Sequence, residues 1–274
     1  MSLNASIVDP KLFSEKDKMK LVDELYQVHD QIFDGVDKDQ FTNYVVDSKA
    51  HITNIFIQKH QDQAVGYGAI HFYKFDTLEE RIGVIRMEAG LIPDFRSGNN
   101  QLHIFALFKV LQFIISHPNR KIYFLGSLVH PSSYVALTNL SKHVWPTMAQ
   151  PVPCEQIKSI VSRLSDLFDL IPVESSNPHV VQVGWKTREA QQSRDQWNLV
   201  PKPSAQFYIQ QNPNYQDGHG LITILPMNLK NVMDIGVALL QKKQKKIIKK
   251  FWMQSRLNPN VMKKSLPNLF STTI

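Results

Sequence analysis

The sequence predicts an α/β fold, a mixed and mostly antiparallel sheet flanked by helices, with an added helix and a long helix near the C-terminal end. Three observations predict it. Segments with apolar residues at helical spacing stand before and after segments rich in β-branched and aromatic residues. Three strand-like runs follow one another between Ile52 and Ile92, the order of an antiparallel meander. A helical stretch then joins the third run to another, Lys121 to Val129, and a strand–helix–strand unit favours parallel pairing through a right-handed crossover.

Taken in order, Ser14 with Asp17 has the form of a helix-capping signature, and Met19, Val22, Leu25, Tyr26, His29, Ile32 and Phe33 recur behind it at helical spacing. Gly35 ends this helix, and 37–46 reads as a second, shorter one. Ile52 to Gln58, Ala64 to Phe75 and Arg81 to Ile92 form the meander, the last stopped by Pro93. Gly66 and Gly68 mark a bulge or a close backbone approach within the second strand. Leu102 to Ser116 is a helix capped by Asn99 or Asn100, apolar nearly all round and so expected to be buried. Its crossover makes the flanking strands parallel, splayed by a bulge near Ala89 to Leu91. Pro131 to His143 and Glu155 to Leu170 are further helices; His179 to Trp185, Ala205 to Gln210 and Leu221 to Leu225 read as strands. The expected organisation is a portion 1–146 holding the first strands and the cleft, 147–226 completing the same domain, and a basic helix and tail at 227–274.

Composition narrows the function classes. The single cysteine, Cys154, excludes an internal disulfide framework and a multi-cysteine metal site, and suits a reducing, cytoplasmic setting. No P-loop, nucleophile elbow or zinc-protease motif is present. The formal charge of +7 is concentrated: Asn228 to Ile274 holds ten Lys or Arg against Asp234 alone, which is +9 and leaves −2 for the rest. A nearly neutral body argues against a nucleic-acid-binding domain.

Two segments carry a resemblance. Gly90-Leu91-Ile92-Pro93-Asp94-Phe95-Arg96-Ser97-Gly98 resembles a strand end and donor loop of the form V-x-P-x-Y/F-R followed by glycines. His130-Pro131-Ser132-Ser133-Tyr134-Val135-Ala136-Leu137 resembles an N-P-x-A segment after the next strand. Both, with the element order, are similar to the GCN5-related N-acyltransferase (GNAT) superfamily, over the chain to about Pro146. The resemblance implies an acyltransferase that moves an acyl group from acyl-CoA or an acyl carrier protein to an amine, with the thioester as donor substrate and no tightly bound cofactor or metal. It places donor binding at Leu91, Arg96, Ser97, Gly98, Asn99, Asn100 and Gln101, where convergent N–H groups at a helix start would hold a pyrophosphate. The family's glycine positions fall here on Asn99 and Gln101, with Gly98 one residue early. It also implies that the Leu91 N–H polarises the thioester carbonyl.

Glu88, in an apolar stretch of the third meander strand, is the candidate base, or alternatively the partner of Arg86 on the same face. Tyr134 is the nearest candidate acid, although the family's tyrosine position corresponds to Leu137. His130 reads as a hydrogen-bonding residue at a strand end. At the C-terminal helix, Lys242 to Lys250 beside Leu240, Phe251 and Trp252 suits an acidic carrier protein or an anionic membrane surface, or else a docked helix with solvated lysines. The alternative functions are therefore a catalytically inactive binding or scaffold protein on the same fold, and a peripheral membrane protein anchored by this helix.

Overall fold

In the computed structural model, residues 3–77, 80–96, 101–189, 196, 197, 199 and 201–257 are described, with 247–257 described by backbone alone. From one edge to the other the main sheet runs β1 (Asn4–Val8), β3 (Ile52–His60), β4 (Gln63–Asp76), β5 (Arg81–Leu91), β6 (Lys121–Leu128), β10 (His219–Pro226), β8 (Asn177–Gln182) and β7 (Pro172–Glu174). Every neighbouring pair is antiparallel except β5 with β6, which is parallel as the crossover argument requires. A two-residue strand β2 (Phe33–Asp34) pairs with β9 (Lys186–Thr187) beside the sheet.

Helices cover both faces, so each strand buries side chains on alternating sides. One face receives α1 (Glu15–Asp30), the single turn α2 (Lys38–Phe41) with the π-helical Thr42–Val46 behind it, and α5 (Glu155–Leu167). The other receives α3 (Leu102–Ser116), α4 (Pro131–Thr138), α6 (Pro203–Gln211) and α7 (Leu229–Leu257). Caps anchor the first two helices. The Ser14 hydroxyl accepts from the Asp17 N–H, and Asp37 with Gln40 forms a reciprocal capping box, each contact stabilising its helix by roughly 1 kcal/mol. Phe41, Phe72, Tyr67, Tyr134 and Tyr208 are the bulkiest fully buried side chains, Phe41 and Tyr67 on one face and the other three on the opposite one.

The structure corrects four expectations. Ala205 to Gln210 lies within α6 rather than a strand: Pro203 opens the helix, and Ala205 and Tyr208, three apart, are both fully buried, which is helical spacing. The expected bulge at Ala89 to Leu91 does not exist, since β4 and β5 pair without a break from Gly66↔Leu91 to Asp76↔Arg81. β6 keeps its hydrogen bonds by pairing with β10, so it can leave β5 without an extra residue in that strand. The register shift near this end lies instead between Gln58 and Lys59 in β3, where Gly66 and Ala64 are their partners. Finally, α3 is only half buried. Leu102, Phe105, Val110 and Phe113 face the sheet, while Ile104, Phe108 and Ile115 are exposed, because a sheet covers one side of a helix whatever the helix's composition. Its N-cap is Gln101; Asn99 and Asn100 lie outside the described residues.

Candidate functional site

The register of β5 builds the site. Ile92 donates its N–H to the Val65 carbonyl at 3.0 Å. Bonding to an antiparallel partner alternates along a strand, so the N–H groups of Met87, Ala89 and Leu91 point the other way, toward β6. The β5–β6 ladder ends at Ile85↔Phe124. Beyond it the strands diverge around a cleft of about 480 Å³, with Met87 to Leu91 on one arm and Leu125 to His130 on the other. Strands that part this way leave one row of backbone donors facing a space rather than a partner.

Gly66 and Gly68 let the next layer close over this end. A Cβ on Gly68 would lie 2.1 Å from Leu102 Cδ1, and one on Gly66 would lie 2.5 Å from Leu91 Cδ1. Leucine side chains therefore fill the space over both glycines, Leu91 from the neighbouring strand over Gly66 and Leu102 over Gly68, and the latter contact seats the start of α3 beside the cleft. Gln101 has φ −91°, so the absence of glycine there brings no strain. Arg96 lines the cleft and donates from Nε to the Leu91 carbonyl at 3.2 Å. Ser97, Gly98, Asn99 and Asn100 lie outside the described residues.

Glu88 lines the cleft, its side chain 11% exposed, but its partner is not Arg86. His71 Nε2 lies 2.9 Å from the carboxylate, within ion-pair distance though off the axis of a straight hydrogen bond. Behind it, His71 Nδ1 lies 2.9 Å from Ser48 Oγ and 3.0 Å from Thr53 Oγ1. Arg86 turns instead to the Tyr44 hydroxyl at 3.2 Å, with its guanidinium over the Tyr44 and Phe168 rings. Burial works to lower the Arg86 pKa, yet the Tyr44 phenol and the Glu88 charge hold it above its usual range. Burial likewise pushes the Tyr67 phenol well up, and the Glu88 charge adds to this.

Tyr134 does not share this space. It is fully buried, its hydroxyl donates to the Pro146 carbonyl at 2.6 Å, and burial pushes its phenol well above the usual range. A phenol so committed is a packing group, and the structure does not bring it to Glu88.

The sequence reading missed His71, and missed a second histidine–carboxylate pair. His130 caps α4: its Nδ1 accepts from the Ser132 N–H at 3.1 Å and lies 2.6 Å from Ser132 Oγ. Its Nε2 lies 2.7 Å from the Glu189 carboxylate. An aromatic wall of Phe33, Tyr44 and Trp185 closes the α1 side of the cleft. His71 was findable, since hairpin register sets it diagonal to Glu88. Glu189 had no local signal, being far from His130 in the chain.

No protein-family profile matches the sequence, and no curated protein matches it. Among solved structures, Arabidopsis thaliana NAA60 in complex with a bisubstrate analogue is 10% identical with a TM-score of 0.35, over 82% of this chain and 100% of that one. A GNAT family acetyltransferase of Staphylococcus aureus is 13% identical with a TM-score of 0.27, over 44% of this chain and 84% of that one. A conserved protein of Enterococcus faecalis is 7% identical with a TM-score of 0.30, and the match spans 46% of this chain and 30% of that protein. At these values the fold rests on the strand order and the β5–β6 divergence described above.

Proposed function

We propose that the protein is an acyltransferase that moves an acyl group from an acyl thioester, acyl-CoA or an acyl carrier protein, to an amine. The observation that carries this reading is the row of β5 amides facing a cleft that Glu88 also lines. A thioester carbonyl laid against Leu91 would find an N–H donor for its developing oxyanion. Glu88 would take the proton from the attacking amine, and His71 behind it would hold the carboxylate in place. Two carboxylates, Glu88 and Glu189, with the Phe33 and Trp185 rings form a wall that suits an alkylammonium acceptor, while the Tyr44 ring is already covered by the Arg86 guanidinium. Arg96 and the start of α3 would face the donor's phosphates.

Calorimetry with acetyl-CoA and with a long-chain acyl-CoA tests this directly. Binding of either, weakened by about 1–3 kcal/mol in Arg96→Ala, supports the donor site. No binding of either leaves the scaffold reading of the same fold.

A specific observation also favours a second, membrane-associated role. On α7, Val232 and Ile235 are buried, yet Met233, Val237 and Leu240 form an exposed apolar stripe beside the exposed Lys242, Lys243, Lys245 and Lys246. A helix held only by its apolar face would not leave such a stripe in solvent. Among the described residues no helix is long and apolar enough to cross a membrane.

A further inference from the structure

Ser132 is exposed within the cleft, in the first turn of α4. The Ser132 N–H donates to His130 Nδ1 at 3.1 Å, so that nitrogen carries a lone pair and the ring proton sits on Nε2. The Glu189 carboxylate lies 2.7 Å from Nε2, within ion-pair distance though off the axis of a straight hydrogen bond. Ser132 Oγ is 2.6 Å from the same Nδ1 and can only donate to it. Hydroxyl, imidazole and carboxylate therefore stand in the order by which a base activates a serine. His130 is 7% exposed, with the Trp197 and Tyr215 rings edge-on at 5.3 and 5.9 Å, and low polarity strengthens its contact with Glu189. Capping α4 requires Nδ1 alone; a carboxylate largely buried against Nε2 is surplus to that task.

We propose that Ser132 is a covalent nucleophile that carries the acyl group between donor and acceptor. This deepens, and rests on, the acyl-transfer reading of the same cleft. The Ser132 oxygen attacks the carbonyl carbon of an acyl thioester as its proton passes to His130 Nδ1. The C–S bond breaks, the thiolate takes that proton and leaves as the thiol, and an acyl-serine ester remains. An amine, whose ammonium proton Glu88 has taken, or water, then attacks the ester carbon. The C–O bond breaks, and the proton lost by the nucleophile returns through His130 to the Ser132 oxygen. The products are a thiol and an amide, or a thiol and a carboxylic acid with water as acceptor.

The test treats the full chain with diisopropyl fluorophosphate, which needs no acyl donor, and locates the adduct by peptide mass mapping. One adduct on Ser132 is expected, absent in Ser132→Ala. It should form about 10²-fold more slowly in Glu189→Gln, a variant that leaves the cap contacts of His130 intact. No adduct on Ser132, or an equal rate in Glu189→Gln, would overturn the proposal. Acyl-CoA binding is measured in parallel. An adduct without acyl-CoA binding keeps the activated serine and removes the transferase reading, whereas acyl transfer at the wild-type rate in Ser132→Ala keeps the transferase and removes the covalent step.

Discussion

The two arms of the cleft hold the same chemical parts in opposite order. On the β5 arm, a carboxylate lines the cleft and an imidazole stands behind it, backed by Ser48 and Thr53: Glu88, then His71, then hydroxyls. On the β6 arm, a hydroxyl is presented, with imidazole and carboxylate behind: Ser132, then His130, then Glu189. Order decides function. A carboxylate in front is a proton acceptor toward whatever enters, and a hydroxyl in front, backed by a base, is a nucleophile. Glu88 stands on β5, and His130 and Ser132 follow its parallel neighbour β6. The divergence therefore sets the two rows on opposite arms of one cleft, where the proposed proton acceptor and the proposed nucleophile would face each other.

The largest expected effect breaks the β5 arm. Glu88→Gln keeps shape and removes the proton acceptor, so acyl transfer should fall about 10²–10⁴-fold while acyl-CoA affinity by calorimetry is retained. Unchanged turnover would reduce Glu88 to a structural partner of His71 and leave the β6 arm to do the proton transfer.

The packing behind the β5 arm has its own signature in pH. His29 is buried among Phe33, Phe41 and Trp185, with Nδ1 3.0 Å from the Tyr67 hydroxyl, and burial lowers its pKa from 6.5 to about 4. The unfolded chain therefore binds a proton over a range where the folded chain does not. Stability is full above about pH 6.5, falls as the pH drops toward 4 and levels below it, a loss of about 3 kcal/mol from this group. Urea titrations at pH 7, 5.5 and 4 on the wild type and His29→Gln should show that slope reduced in the variant. An identical slope in both would assign the acid sensitivity elsewhere.

A smaller effect separates Tyr134 from the β6 arm that its helix supports. Tyr134→Phe removes the hydrogen bond to the Pro146 carbonyl and should cost about 1–3 kcal/mol of stability, with the turnover of the folded protein unchanged. A drop in turnover at equal stability would restore the phenol as an acid.

How much of this the sequence made legible follows from where the information sits. The meander, the crossover and the parallel pair are set by local periodicity and connection length, and all are present between Ile52 and Leu128. α6 was missed because Phe207, Tyr208 and Ile209 carry β propensity in so short a segment that period could not overrule it. β1 was missed because its five residues are mostly exposed and lack alternation. Within the site, Glu88 was legible as a charge in an apolar strand. Tyr134 misled because a tyrosine beside a motif does not show which way its hydroxyl points. His71 and Glu189 became visible only through register and tertiary contact, since neither lies near its partner in the chain.

The charges of the cleft and those of α7 are arranged in opposite ways. Inside, each carboxylate has an imidazole; on α7, Lys242, Lys243, Lys245 and Lys246 are exposed with the same sign, a spacing that costs an isolated helix stability. An anionic partner would offset that cost, and the exposed Met233, Val237 and Leu240 add apolar contact that a soluble acidic carrier would use less well than a bilayer. Each lysine near an anionic surface should contribute about 1 kcal/mol, screened over a Debye length of about 8 Å at physiological salt. Co-sedimentation with phosphatidylserine-containing vesicles should therefore exceed that with neutral vesicles. A Met233→Ser, Val237→Ser pair should weaken the residual binding that survives high salt, because insertion of the stripe is not screened. If binding to anionic vesicles vanishes entirely with salt, the stripe does not insert and only the lysines act. If it is absent even at low salt, the membrane role fails, and binding to an acidic acyl carrier protein becomes the measurement that assigns the α7 lysines.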